Sequence, residues 1–95
     1  MFTASGISFC NTSTVTQDGD DSDVDVTQNG TDNVSQVSQN AFQSSTVVNQ
    51  NGNANFSNVG QTGDNASVLV NQTNSDGLID GNDSFVTQSG DDASA

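Results

Sequence analysis

The chain of 95 residues has no lysine, arginine, histidine, glutamate, proline, tryptophan or tyrosine. All 12 of its charges are aspartates, which gives a net charge of −12 at pH 7. With no cation to neutralise phosphate, nucleic acid does not fit as a partner. The same absences remove the usual general acids and bases, the phosphate binders and most metal ligands, so no catalytic, cofactor or defined metal site is expected. One cysteine, Cys10, permits neither an internal disulfide nor a thiolate metal site, and a small thiol buried at a bend is its expected place. No apolar run approaches the roughly 20 residues that span a bilayer, so membrane insertion is not expected. Residues 1–10 carry neither a basic segment nor an apolar run, so they do not read as a signal peptide, and any export signal is expected to lie outside this sequence. With 29% apolar residues and 5 Phe as the only aromatics, a conventional hydrophobic core is not expected, and composition alone resembles that of disordered chains.

What is present argues against disorder. A Val followed two positions later by a Gln recurs at Val15/Gln17, Val26/Gln28, Val37/Gln39, Val48/Gln50, Val59/Gln61 and Val70/Gln72, each pair eleven positions after the last. A seventh pair, Val86/Gln88, follows sixteen positions on, so the last connection is longer by five. A registered repeat is what stacked equal units require, because each must place the same side chain over its predecessor. Gln/Asn-rich, proline-free segments with Val and Thr suit stacked strands, through side-chain amide ladders and backbone pairing.

Counting back from each Gln in steps of two follows one face of a strand. Two kinds of face alternate. One reads Asn11, Ser13, Val15, Gln17; Asn33, Ser35, Val37, Gln39; Asn55, Ser57, Val59, Gln61; and Asn82, Ser84, Val86, Gln88. The other reads Ser22, Val24, Val26, Gln28; Ser44, Thr46, Val48, Gln50; and Ala66, Val68, Val70, Gln72. The true unit is therefore two elevens long, with two unlike strands per turn, and these residues are the predicted inward, ladder-forming set. Two positions after the Gln comes Gly19, Gly30, Gly52, Gly63 or Gly90, with Ala41 and Asn74 as exceptions, which fits a bend needing positive φ or close backbone approach. The predicted fold is all-β, a β-solenoid of strand, arc, strand, arc, with turns about 4.8 Å apart and cross-β in character. All the aspartates fall outside the inward set, as burial of that set demands, since an unpaired buried carboxylate is too costly.

The pattern Ser22-x5-Gln28-x-Gly30-x2-Asn33-x-Ser35-x3-Gln39, repeated from Ser44 to Gln61, resembles the repeat of curlin, the subunit of curli fibres. Three and a half copies cover residues 11–90. The resemblance implies a β-solenoid that polymerises end to end into an extracellular functional amyloid of biofilm matrix, with a nucleator subunit as a further partner. Curlin repeats usually carry Ala where this chain has Ser13, Ser35, Ser57 and Ser84. The third unit also departs from the pattern, with Ala66 for Ser and a longer connection between Gln72 and Asn82. The expected organisation is an N-terminal segment, 1–10, solenoid repeats over 11–90 with an insertion near 75–81, and a C-terminal tail, 91–95.

Globular solenoids hide their end strands with caps, and no cap is legible here, so head-to-tail growth of identical subunits is expected. Four strands of the first kind against three of the second leave one place open. Extending the register upstream puts Phe2, Ala4 and Gly6 inward, as if residues 2–6 formed an eighth strand. The inward Gln and Asn columns are expected to form amide ladders, each amide donating to one neighbour and accepting from the other. Four turns span about 19 Å, so 12 carboxylates give on the order of one charge per 1.6 Å of axis, near the duplex DNA value; such a filament must hold cations, Ca²⁺ among them, diffusely. Glycosylation sequons at Asn29, Asn65 and Asn71 are expected to be exposed and those at Asn11, Asn33, Asn55 and Asn82 buried. Two other readings fit the composition: a monomeric acidic β-solenoid that binds ice or mineral, and a Ca²⁺-dependent adhesin fragment.

Overall fold

The computed structural model describes residues 10–74 and 81–95. Among these the chain is all-β, with no helix. Seven strands form: β1 (Thr12–Asp18), β2 (Asp23–Thr31), β3 (Val34–Asn40), β4 (Ser45–Asn53), β5 (Phe56–Gln61), β6 (Ser67–Thr73) and β7 (Asp83–Gln88). They divide into two parallel sheets, β1-β3-β5-β7 and β2-β4-β6. Val, Thr and Asn in period two suit a pleated surface with one dry face, and the repeat then dictates alignment. Val15 pairs with Val37, Val37 with Val59, Gln28 with Gln50 and Gln50 with Gln72, at a constant sequence offset of 22. Between β5 and β7 the offset becomes 27, and Val59 still meets Val86 and Gln61 still meets Gln88. A slip of one residue would turn every inward Val outward, so the alignment is strongly specified.

The apolar core is a single cluster drawn from both sheets, Val37 and Val59 from one and Val48, Val68 and Val70 from the other, so the sheets pack face to face. Polar inward residues are buried beside it: Asn33, Ser35, Gln39, Ser44, Thr46, Gln50, Asn55, Ser57, Gln61 and Gln72, together with Ala66. The expected burial fails at the sheet edges. Val15 is 46% exposed, Gln17 and Asn82 are exposed, and Asn11, Ser13, Ser22, Val24, Val26, Gln28, Ser84 and Val86 are half-buried. Inward-facing residues are covered by the strands beside and opposite their own, and an edge strand lacks one of those neighbours.

The arcs share one backbone device. Asp21, Asp32, Gln43, Ala54 and Asn65, at the same elevenfold spacing, and Asp92 all adopt left-handed φ of 53° to 57° immediately before an inward residue. Gly30 and Gly52 stand where stacked arcs touch. At φ of 120° and 122°, a β-carbon on either would come within 1.9 Å of Gly52 O and 2.2 Å of Asn74 O, respectively. Gly19 and Gly63 make the same kind of approach, to Ala41 O and Gly90 O. Gly90 departs from expectation, since among the described residues its β-carbon would meet only the Ala93 side chain at 3.8 Å, with no further arc laid against it.

Two further expectations are corrected. Cys10 is exposed, because it precedes the first strand at an edge of the sheet rather than sitting inside a stacked arc. Residues 91–95 are not a free tail: Ser94 bridges Ser67 in parallel, Ser67 N donates to Ala93 O at 2.8 Å, Ala95 N to Ser67 O at 2.9 Å and Leu69 N to Ala95 O at 2.8 Å. The segment begins a fourth strand on β6, with the same lengthened offset that β7 has on β5. The expectations for residues 2–6 and for most of the insertion near 75–81 lie outside the described residues.

Candidate functional site

The residues singled out by the repeat converge on the space between the sheets, where two glutamine ladders run across the strands. Gln28 Nε2 donates to Gln50 Oε1 at 2.7 Å, and Gln50 Nε2 to Gln72 Oε1 at 2.8 Å. In the other sheet Gln39 Nε2 donates to Gln61 Oε1 at 2.6 Å, and Gln61 Nε2 to Gln88 Oε1 at 3.0 Å. Both ladders have a direction: each amide donates towards the C-terminal end of the stack. The second hydrogen of the first ladder crosses to the facing sheet, from Gln28 to Thr12 O, Gln50 to Val34 O and Gln72 to Phe56 O, at 3.0, 2.9 and 2.8 Å. These bonds pair β1 with β2, β3 with β4 and β5 with β6. Thr46 Oγ1 joins the second ladder by donating to Gln61 Oε1 at 2.9 Å.

The asparagines do a different job from the ladder expected of them. Asn11, Asn33 and Asn55 accept through Oδ1 from the backbone N–H of Asn33, Asn55 and Asn82, each at 3.0 Å. Through Nδ2, Asn11 donates to Gly30 O, Asn33 to Gly52 O and Asn82 to Thr73 O, at 3.1, 2.9 and 3.0 Å. Of these inward asparagines only Asn55 donates to a neighbouring amide, Asn33 Oδ1 at 3.1 Å. One methylene shorter than Gln and, at Asn33 and Asn55, placed just after a left-handed residue, Asn stays close to the main chain and staples one arc to the next. On the opposite side Ser22 and Ser44 work the same way: their hydroxyls donate to Ala41 O and Gly63 O at 2.6 and 3.0 Å and accept from Ser44 N and Ala66 N, each at 3.3 Å. Ala66 brings no hydroxyl to continue that column.

Among the described residues, four buried side-chain atoms have no partner: Gln28 Oε1, Gln39 Oε1, Ser35 Oγ and Ser57 Oγ. Both orphaned amide oxygens head their ladders at the N-terminal edge, where Gln17 Nε2 turns aside to Ser22 O instead of donating to Gln39. At the other end Gln88 accepts from Gln61 and heads no further bond.

Aspartates ring this core. Of those described, only Asp64 is half-buried and the rest are exposed, and among the described residues no group of three or more ligating side chains converges on a metal position. Asp64 Oδ1 accepts from Phe42 N at 3.0 Å and Asp91 Oδ1 from Asp64 N at 3.2 Å, so some carboxylates serve the arcs. Outward columns align as Val34 beside Phe56 and Val47 beside Leu69. A groove of about 460 Å³ lies between the edge of β6, at Leu69 to Thr73, and the inner face of β7, at Ser84 and Val86. The unequal count of strand types was its signal. Comparison of this chain with protein-family models, with curated proteins and with solved structures finds no match.

Proposed function

We propose that the two sheets are the two sides of a β-solenoid and that the chain is the structural subunit of an extracellular, curli-like amyloid fibre, assembling head to tail for biofilm matrix or surface adhesion. One observation carries the reading. The outermost strands of the four-stranded sheet, β1 and β7, present the same series, Ser13, Val15, Gln17 and Ser84, Val86, Gln88, and neither has a strand on its outer side among the described residues. An edge that already receives β5 on one side offers β1 of a second molecule the same register on the other, a heterologous contact that does not close. Ladder direction supports the same polarity: Gln88, with an unused donor, would meet Gln17, freeing it to donate to the orphaned Gln39 Oε1. A nucleating subunit would supply the first ledge, and diffuse cations, Ca²⁺ included, would hold the carboxylate-coated filament together.

Negative-stain imaging with fibre diffraction of the purified chain tests this. Unbranched filaments with a meridional reflection at about 4.8 Å are expected, growing faster with added salt as self-repulsion is screened. A particle that stays monomeric by light scattering through days of concentration in high salt would refute it.

A further inference from the structure

On the outer face of the four-stranded sheet this acidic molecule holds its carboxylates to the margins. The outward residues of β1, β3, β5 and β7 form four columns, and the aspartates of this face, Asp18 and Asp83, stand in the two outermost. The two middle columns hold none. On the opposite sheet Asp25 stands in a middle column, in line with Val47 and Leu69. The face lies on the flank of the stack, so strands added at either end would lengthen it without covering it.

The two middle columns also differ in size. On successive strands one carries Gln36, Asn58 and Phe85, and the other Ser38, Gly60 and Thr87. Phe85 is 71% exposed although its ring lies against Phe56, with centroids 5.5 Å apart, so it stands proud of the sheet. Diagonally beside it Gly60 leaves a hollow, with nothing among the described residues within 4 Å of its β-carbon position. No turn or close approach within the molecule requires that glycine, and glycine weakens a strand interior, which marks a place where something outside the molecule approaches.

We infer that this face pairs with the same face of a second stack of this chain, so that two filaments run side by side with their outer faces interlocked. The inference rests on the head-to-tail reading and adds how the filaments associate. A two-fold axis along the filaments, between the middle columns, sets the larger column of each face over the smaller column of the other. A slide of one strand spacing then brings the Phe85 ring over the Gly60 hollow. Asp18 and Asp83 fall on the open rim, where salt screens them. Charge selects a copy of the chain over a cationic partner, which would be drawn to β2 and the aspartate-bearing arcs instead. Area selects a stack over a single molecule. Four spacings by the length of β1 give about 400 Å² a side, or about 800 Å² for a pair, below the roughly 1,200 Å² of stable interfaces. A filament multiplies that area by its number of molecules while aligning them only once.

Two isosteric changes of one charge give the test. Gln36→Glu puts a carboxylate in a middle column once per molecule, and Asn51→Asp puts one on the exposed outer face of the opposite sheet. The readout is mass per length of full-chain fibres by dark-field electron microscopy, in about 0.15 M salt. Unaltered and Asn51→Asp fibres are expected to hold two molecules per about 19 Å. Gln36→Glu fibres should fall twofold, to one molecule in that length, because the closed face cannot take an unpaired carboxylate. Single stacks from the unaltered chain would give the face to another occupant and overturn the inference while the fibre stands. Gln36→Glu fibres that stay double, or single stacks from both variants, would overturn it equally. A chain that forms no fibres at all sinks the assembly reading and the pairing with it.

Discussion

Val15 and Val37 occupy the same position of the repeat, face the same way and pair with one another, yet the first is 46% exposed and the second 3%. Only their place in the stack differs. The same contrast separates Gln17, which turns aside to a nearby carbonyl, from Gln39 and Gln61, which hold a ladder between them. A repeat specifies what a residue can do, and its neighbours across the stack decide whether it does it. The interior strands of this molecule are finished, while its outer strands carry the same instructions without, among the described residues, the partners to execute them.

Substitutions that set interior against edge, or crowded against open, put this contrast at risk. The largest effect is expected at an arc contact: Gly52→Ala forces a β-carbon to 2.2 Å from Asn74 O at a φ of 122°, and a loss of at least about 3 kcal/mol in denaturant unfolding should follow. Gly60, on the outer face of β5, has nothing within 4 Å of its β-carbon position. Gly60→Ala should stabilise by about 0.5–1 kcal/mol by relieving backbone entropy, and equal losses for the two glycines would refute the arc stacking. Next comes Val48→Ala, at a fully buried position, expected to cost about 2 kcal/mol, against under about 1 kcal/mol for Val15→Ala. In fibres the gap between these two should narrow, since Val15 is then covered, and denaturant-dependent disassembly would measure it. The smallest expected effect has the opposite sign. Ser57 is wholly buried with an unpartnered hydroxyl, so Ser57→Ala should raise thermal stability by about 1 kcal/mol, whereas Ser84→Ala at the half-buried edge should leave it unchanged.

How much of this was legible in the sequence follows from the same contrast. Strand positions, parallel alignment and inward face come directly from the elevenfold spacing, because a period is a statement about equivalent neighbours. Exposure of Val15, Gln17 and Asn82 could not come from it, since the period says nothing of where a stack stops. Left-handed turns at Gln43 and Ala54 were equally hidden, as neither residue type favours that backbone and only the arcs above and below impose it. The asparagine staples were missed by treating Asn as a short Gln, when one methylene decides whether the amide reaches its neighbour or its own main chain. Pairing of Ser94 with Ser67 had a readable signal: eleven positions beyond Asn82 and Ser84 stand Ala93 and Ala95, small enough for an inward face.

The joint between β6 and β7 reaches into design. Gln61 keeps its bond to Gln88 at a sequence separation of 27, where Gln39 and Gln61 are 22 apart, so alignment of the columns is indifferent to connector length. A peptide tag or binding loop spliced between Thr73 and Asn82 is therefore expected to leave the Gln61 to Gln88 bond in place. If the chain assembles as proposed, the joint becomes a display site with one copy per molecule.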